Sequence, residues 1–273
     1  MLDAHLIVRS IVSSYNNRPK VGLALSGGVA RGPVHVGILT VLEREGIPID
    51  FVAGTSAGSL VGSAYCAGLQ ISELRELARQ TGWRNVAALT WPRQGLLSFA
   101  KMERFIEDMV GEVDIRDLSI PFAAVATDMR RGEQVILREG RLATAVRASC
   151  SVPGFVTPVE HNGRLLCDGG ISDNLPVDAV REMGADYVIG VDLFVPNQPK
   201  WGPLGMGAVA IETLVRQSGG GYKDADCLIV PDLSGQTYFR FSKADEYIAI
   251  GEAAAEAAID EIKAEFGMLT AVS

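Results

Sequence analysis

Histidine is scarce in this chain of 273 residues: there are three, His5, His35 and His161. His5 lies in the N-terminal segment. His35 falls in the helix expected after a glycine-rich turn, where packing or helix capping accounts for it. His161 occupies the polar turn Glu160-His161-Asn162-Gly163, a hairpin tip. None follows a strand as a catalytic-loop histidine does, so histidine-based catalysis has little to draw on. Cysteine is also sparse. Cys66, Cys150, Cys167 and Cys227 are widely spaced, with no C-x-x-C pair. That speaks against a disulfide framework and reads as small core residues of a reducing compartment. No run of about 18 apolar residues occurs, so no membrane-spanning helix is expected. The first 20 residues read as an N-terminal extension. Asp3 and Arg9 lie in or beside its short apolar run, unlike the ordered regions of a secretory signal. A cytoplasmic, soluble protein is the expectation. Basic residues are outnumbered 25 to 33 by acidic ones, net charge −8, with no Lys/Arg-rich run. No nucleic-acid partner is expected, nor strong attraction to anionic membranes. A local apolar patch making peripheral membrane contact stays open.

What the chain does have is apolar bulk, 48% of its residues, enough for a substantial core. Residues 21–25 read as a short strand, 34–45 as a helix capped by Gly46, and 49–53 as a second strand, with a helix over 57–68. This β-turn-α-β-turn-α order is the mark of a parallel sheet covered by helices. Further helices are expected at 71–82, 102–110, 144–148, 177–183 and 244–266. Further strands are expected at 121–127, 134–137, 164–167, 187–193 and 227–230. Residues 87–97 read as a looser stretch and 195–206 as a surface loop or lid. No linker divides the chain, so residues 21–273 read as one domain.

Gly54-Thr55-Ser56-Ala57-Gly58 is the most informative stretch. A G-x-S-x-G sequence between a strand and a helix is a nucleophile elbow. The turn is so tight that side chains two residues to either side of the serine would collide with strand and helix. Helix N–H groups behind Ser56 favour the negative charge that develops when it attacks an ester. The second glycine-rich turn, Ser26-Gly27-Gly28-Val29-Ala30-Arg31-Gly32, can point several N–H groups at one anion. It serves either as a phosphate cradle or as an oxyanion hole. It lacks both G-x-G-x-x-G and G-K-[ST], and Asp50 sits at the start rather than the end of its strand, so the nucleotide reading is weak.

Ser56 needs a base. Asp168 projects from the end of a strand into Asp168-Gly169-Gly170, where a short carboxylate can take a proton directly from a serine. Asp128 and Asp192 also end strands and are rival bases, as is His161. Asp173 and Asp178 look like loop or cap residues.

With the glycine turn, the elbow and Asp-Gly-Gly in this order, the chain resembles the patatin-like phospholipase family. The resemblance runs from about Val21 to Asp192. It includes Ala126-Thr127-Asp128, Arg147-Ala148-Ser149 with Val152-Pro153, and Ile171-Ser172-Asp173-Asn174-Leu175-Pro176. It implies a three-layer α/β/α fold with a mainly parallel central sheet, and a lipid acyl hydrolase using a serine–aspartate dyad. Position by position it makes Ser56 the nucleophile and Asp168 the base, with Gly54 and Gly58 framing the elbow and Gly169 and Gly170 completing the proton-acceptor motif. Gly27, Gly28, Val29, Arg31 and Gly32 would form the oxyanion hole, Arg31 supporting its geometry or charge. One departure stands out: Val29 replaces the third consecutive glycine of many members, and valine disfavours φ > 0. The implied partner is a lipid or other acyl ester, with no metal and no organic cofactor. Oligomeric state has no sequence signal.

Overall fold

The computed structural model describes residues 18–91, 95–194, 203–238 and 240–272. His5, the extension up to residue 17 and most of the 195–206 loop therefore lie outside the described residues. A mixed sheet organises the chain, with strand order β10-β9-β1-β2-β5-β8-β7 and β6 added against β5. Here β1 is Val21–Leu25, β2 Phe51–Thr55, β5 Phe122–Asp128, β6 Glu133–Leu137, β7 Val159–His161, β8 Arg164–Asp168, β9 Tyr187–Val191 and β10 Cys227–Ile229. The strands from β10 to β5 run parallel; β6 and β8 run antiparallel to β5, and β7 runs antiparallel to β8.

Side-chain alternation sorts the core into two layers. Leu23 and Leu25 of β1, Val52 of β2, Ala124 and Ala126 of β5 and Ile189 of β9 face one large cluster. Helices α1 (Pro33–Arg44), α2 (Ala57–Cys66) and α10 (Ala244–Val272) cover that face. The intervening Ala24, Ala53, Ala123, Val125 and Val188 face the other way, against α7 (Val177–Glu182). Small residues dominate this second face, so α7 packs closely; a side chain at Gly22 would overlap Val180. Strands buried on both faces read as continuous apolar runs, which is why these were legible in sequence.

Helices α3 (Ile71–Gln80), α5 (Ala100–Val110) and α6 (Leu142–Ser149) follow the expected periodicities within two residues at either end. Three differences have local causes. β2 begins two residues later than expected, because Asp50 leaves the sheet to accept hydrogen bonds from the Val21 N–H at 2.8 Å and the Arg18 guanidinium at 2.6 and 2.9 Å. The stretch expected to be loose, 87–97, follows a short helix α4 (Trp83–Val86) and holds the hairpin strand β3 (Ala88–Leu89) and the start of its partner β4 (Leu97–Ser98). The expected loop ends at a fifteen-residue helix, α8 (Pro203–Gln217), whose proline and two glycines hid its apolar stripe. A short helix α9 (Gly221–Asp224) leads from it into β10.

Candidate active site

Register brings the expected site together. β1 and β2 pair with Leu25 opposite Gly54, so the glycine turn and the elbow leave the sheet at the same edge. Parallel strands collect such turns at their carboxyl ends. β2 pairs with β5 with Thr55 opposite Val125, and β8 pairs with β5 from the other side with Ala126 opposite Asp168. Because β8 runs antiparallel, its last residue returns to the level of the elbow. Ser56 and Asp168 thus flank the same point of β5, 112 residues apart in sequence and both buried at 6% exposure.

Ser56 adopts φ 51°, ψ −120°, a left-handed backbone rarely taken by residues other than glycine. Such strain costs about 1–3 kcal/mol and persists only when neighbours over-determine it. Two features do so here. A side chain at Gly54 would lie 2.5 Å from the Gly58 carbonyl oxygen, so strand and helix touch where the glycines permit. The Ser56 N–H donates to Ser149 Oγ at 2.8 Å, and Ser149 Oγ–H donates to the Val125 carbonyl at 2.6 Å. Ser149, at the end of α6 and fully buried, ties the elbow to β5. Its place beside the elbow had no signal in sequence spacing.

Asp168 is held as firmly. Its carboxylate accepts the Gly170 N–H at 2.8 Å, its N–H donates to the Ser151 carbonyl at 2.9 Å, and its carbonyl accepts the Thr127 hydroxyl at 2.9 Å. A side chain at Gly169 would overlap the Val125 carbonyl, so only glycine lets the turn lie so close to β5. Burial pushes the Asp168 carboxyl up to about 6, against the opposite pull of hydrogen bonding from the Ser56 hydroxyl and the Gly170 N–H. The result is a carboxylate more basic than usual yet ionised at neutral pH, the condition for a general base.

The glycine turn divides its labour. The Gly27 N–H is taken up by Asn174 Oδ1 at 3.2 Å, and the Gly32 N–H by the Val29 carbonyl at 3.4 Å. Among the described residues the Gly28 and Val29 N–H groups have no hydrogen-bond partner. Val29 does adopt the disfavoured conformation, φ 52°. Arg31 does not line the cavity. Fully buried, it donates to the carbonyls of Leu193 at 2.9 Å and Gln236 at 2.7 Å, with its guanidinium 3.6 Å from the centre of the Tyr238 ring. It supports the geometry of the turn, not its charge. His35 Nε2 lies 2.9 Å from the Ser26 carbonyl, and burial holds the ring down at about 4, so it is neutral and pins the start of the same turn.

Ser56, Asp168, Gly27, Gly28, Val29 and Gly32 line one cavity of about 220 Å³. Leu60, Leu77, Phe99, Met102 and Phe155 make its walls predominantly apolar. The rival bases lie elsewhere. The Asp128 carboxylate accepts the Arg130 N–H at 2.9 Å and Asp192 the Phe194 N–H at 2.9 Å, each closing its own turn. His161 sits on the β7–β8 hairpin beside Asn162. Two cavity residues had no role in the sequence reading. Asn174 couples the Asp-Gly-Gly segment to the glycine turn. Cys150 lies 3.9 Å from Ser59 Oγ, and burial raises its thiol to about 12, which keeps it neutral. Among the described residues no cluster of His, Cys, Asp or Glu has the makings of a metal site. None of the described helices is long and apolar enough to cross a membrane.

Residues 23–181 match the family model of the patatin-like phospholipases. The chain belongs to that family. It is 39% identical over 181 residues to an NTE family protein of Mycobacterium bovis, a match covering 65% of this chain and 50% of the relative. It is 36% identical over 181 residues to neuropathy target esterase of Drosophila melanogaster, covering 63% of this chain and 13% of that one. With a lysophospholipase of Scheffersomyces stipitis it shares 38% over 179 residues, covering 63% and 12%. The similar stretch thus spans half or less of each relative's length. Among solved structures, VipD from Legionella pneumophila superposes with a TM-score of 0.59 at 14% identity, covering 89% of this chain and 67% of that one. That likeness is one of fold: a mainly parallel sheet between helical layers.

Proposed function

We propose that residues 21–273 form a single serine acyl hydrolase domain that cleaves carboxylic ester bonds of lipids, of the phospholipase A or lysophospholipase kind. The observation that supports this best is the convergence of Ser56, Asp168 and two unengaged backbone N–H groups on one apolar cavity. The names of the relatives, an esterase and a lysophospholipase, point the same way.

In this reading Asp168 takes the Ser56 proton as Ser56 Oγ attacks the ester carbonyl carbon. The carbonyl oxygen becomes an oxyanion held by the Gly28 and Val29 N–H groups and favoured by the N-terminus of α2. Collapse of the tetrahedral intermediate expels the alcohol, which takes the proton from Asp168 and leaves an acyl-Ser56. Water then gives its proton to Asp168 and attacks the acyl carbon; a second collapse releases the fatty acid and returns the proton to Ser56. Each step is within the reach of these residues and needs no additional group. The apolar walls would hold the acyl chain, burial of each CH₂ being worth about 0.8 kcal/mol.

The test is turnover of matched short- and long-chain esters and of a lysophospholipid by wild type and Ser56→Ala. Turnover that rises with chain length and disappears in Ser56→Ala supports the lipid reading. Preference for short soluble esters or thioesters would assign a soluble acyl substrate. Absence of turnover in folded wild type would leave a regulatory member of the family.

A further inference from the structure

The two most exposed large apolar side chains among the described residues, Leu89 at 88% and Trp91 at 78%, lie on one short segment. They belong to the β3–β4 hairpin, which stands apart from the main sheet. Leu89 pairs across the hairpin with Leu97, and Leu97 lines the cavity that holds Ser56. Leu96, 52% exposed, adds a third apolar side chain; its N–H and that of Leu97 both donate to the Phe155 carbonyl, which anchors the hairpin to a second cavity residue. A Trp and two Leu held in water at the edge of a site mark a surface that something covers.

Charge on the elements that border the same cavity identifies the cover. Arg84 follows Trp83, whose ring meets Phe241 edge-on at 5.1 Å, and both rings line the same cavity. Lys101 Nζ reaches the Arg84 carbonyl at 3.4 Å, and Arg240 directly precedes Phe241. All three cations are exposed, and among the described residues none of them forms an ion pair. These cations border the cavity on a chain of net charge −8. A purely apolar patch would suit a second copy of the chain; apolar anchors with cations beside them suit a surface of acyl chains under anionic phosphates.

We infer that this face docks on an anionic phospholipid surface, with Leu89, Trp91 and Leu96 entering the interface and Arg84, Lys101 and Arg240 meeting its phosphates. The cavity would then be presented to the lipid by the elements that line it. Residues 92–94 at the hairpin tip lie outside the described residues and form no part of this surface. The choice of a lipid as the occupant rests on the lipid-ester reading above, and the test separates the two.

Binding is measured by co-sedimentation of the full chain carrying Ser56→Ala with phosphatidylcholine vesicles, with and without a minority of phosphatidylglycerol. Turnover of a soluble short-chain ester is measured in parallel with Ser56 intact. Tighter binding to the phosphatidylglycerol vesicles is expected. Arg84→Glu/Lys101→Glu should weaken that binding by at least about 25-fold, from about fivefold per cation near such a surface. Leu89→Ser/Trp91→Ser should weaken binding to both kinds of vesicle by about tenfold or more. Both double variants should keep the wild-type rate on the soluble ester, which also shows that they are folded. A Ser56→Ala chain that fails to bind either vesicle, or binding that neither double variant changes, overturns the inference. So does a dimer that Leu89→Ser/Trp91→Ser dissolves without any vesicle binding, since the patch then belongs to a second copy. Loss of ester turnover with vesicle binding intact would instead count against the hydrolase reading alone.

Discussion

Ser149→Ala isolates what holds the elbow in its strained shape. The Ser149 hydroxyl accepts the Ser56 N–H at 2.8 Å and donates to the Val125 carbonyl at 2.6 Å, with no exposure to solvent. Removing it leaves the Ser56 N–H buried and unpaired, at a cost of about 1–3 kcal/mol, and deletes one bond to Val125, worth about 1 kcal/mol. The expected loss of stability is therefore about 2–4 kcal/mol. The φ 51° backbone of Ser56 also loses a restraint, so its Oγ drifts from its position beside Asp168. Misplacement of a reacting group by about 1 Å costs on the order of 100-fold in rate, so turnover should fall by about 10- to 100-fold. Ser63→Ala is the control. Ser63 is equally buried, but its hydroxyl donates only to the Leu60 carbonyl within its own helix, at 2.9 Å. Urea unfolding and ester turnover of the two variants decide the matter. A Ser149→Ala protein as stable and as active as Ser63→Ala would refute this account of the elbow.

Other expectations follow from the same geometry. The base must be ionised to act, and burial raises Asp168 to about 6, so kcat/KM on a soluble ester should rise with pH through an inflection near 6. His161→Ala should leave that profile unchanged; an inflection that moves or vanishes with His161 would reassign the base. Val29→Gly removes a strained φ worth about 1–3 kcal/mol and adds about 0.5–1 kcal/mol of unfolded-state freedom. Its stability by urea unfolding should equal or exceed that of wild type with turnover retained; a clear loss of stability would mean that the valine side chain matters more than its backbone. Arg31→Met orphans the Leu193 and Gln236 carbonyls and removes the contact with Tyr238. It should cost about 2–4 kcal/mol, and equal stability of wild type and Arg31→Met would show that the pin is dispensable.

Much of this arrangement was legible from residue order, for physical reasons. Ser56 announces itself because strand, tight turn and helix leave only small residues around the nucleophile, and the contact between Gly54 and the Gly58 carbonyl is the steric cause. The parallel strands showed as apolar runs because both their faces are buried. Asp168 was harder. Asp128 and Asp192 end strands just as it does, and what separates them is register: only Asp168 sits at the end of an antiparallel strand that returns to the level of Ser56. Register depends on contacts distant in sequence, which spacing cannot supply; the family resemblance favoured Asp168, and the structure places it beside Ser56. The same limit hid Ser149 and Asn174, ordinary polar residues in sequence that tie separate segments of the site together. Arg31 could be read as a charge for the oxyanion hole until its burial against the Tyr238 ring and two carbonyls assigned it to the scaffold. The helix α8 was missed because its proline and glycines imitate a loop.

The central claim is that Ser56 is the nucleophile and Asp168 its base. The most direct measurement is the rate of labelling by a fluorophosphonate probe, with the adduct located by mass spectrometry, in wild type, Ser56→Ala and Asp168→Asn. The account predicts an adduct on Ser56, none in Ser56→Ala, and labelling of a folded Asp168→Asn slowed by on the order of 100-fold or more. Labelling of Asp168→Asn at the wild-type rate, or an adduct on any residue other than Ser56, would contradict it.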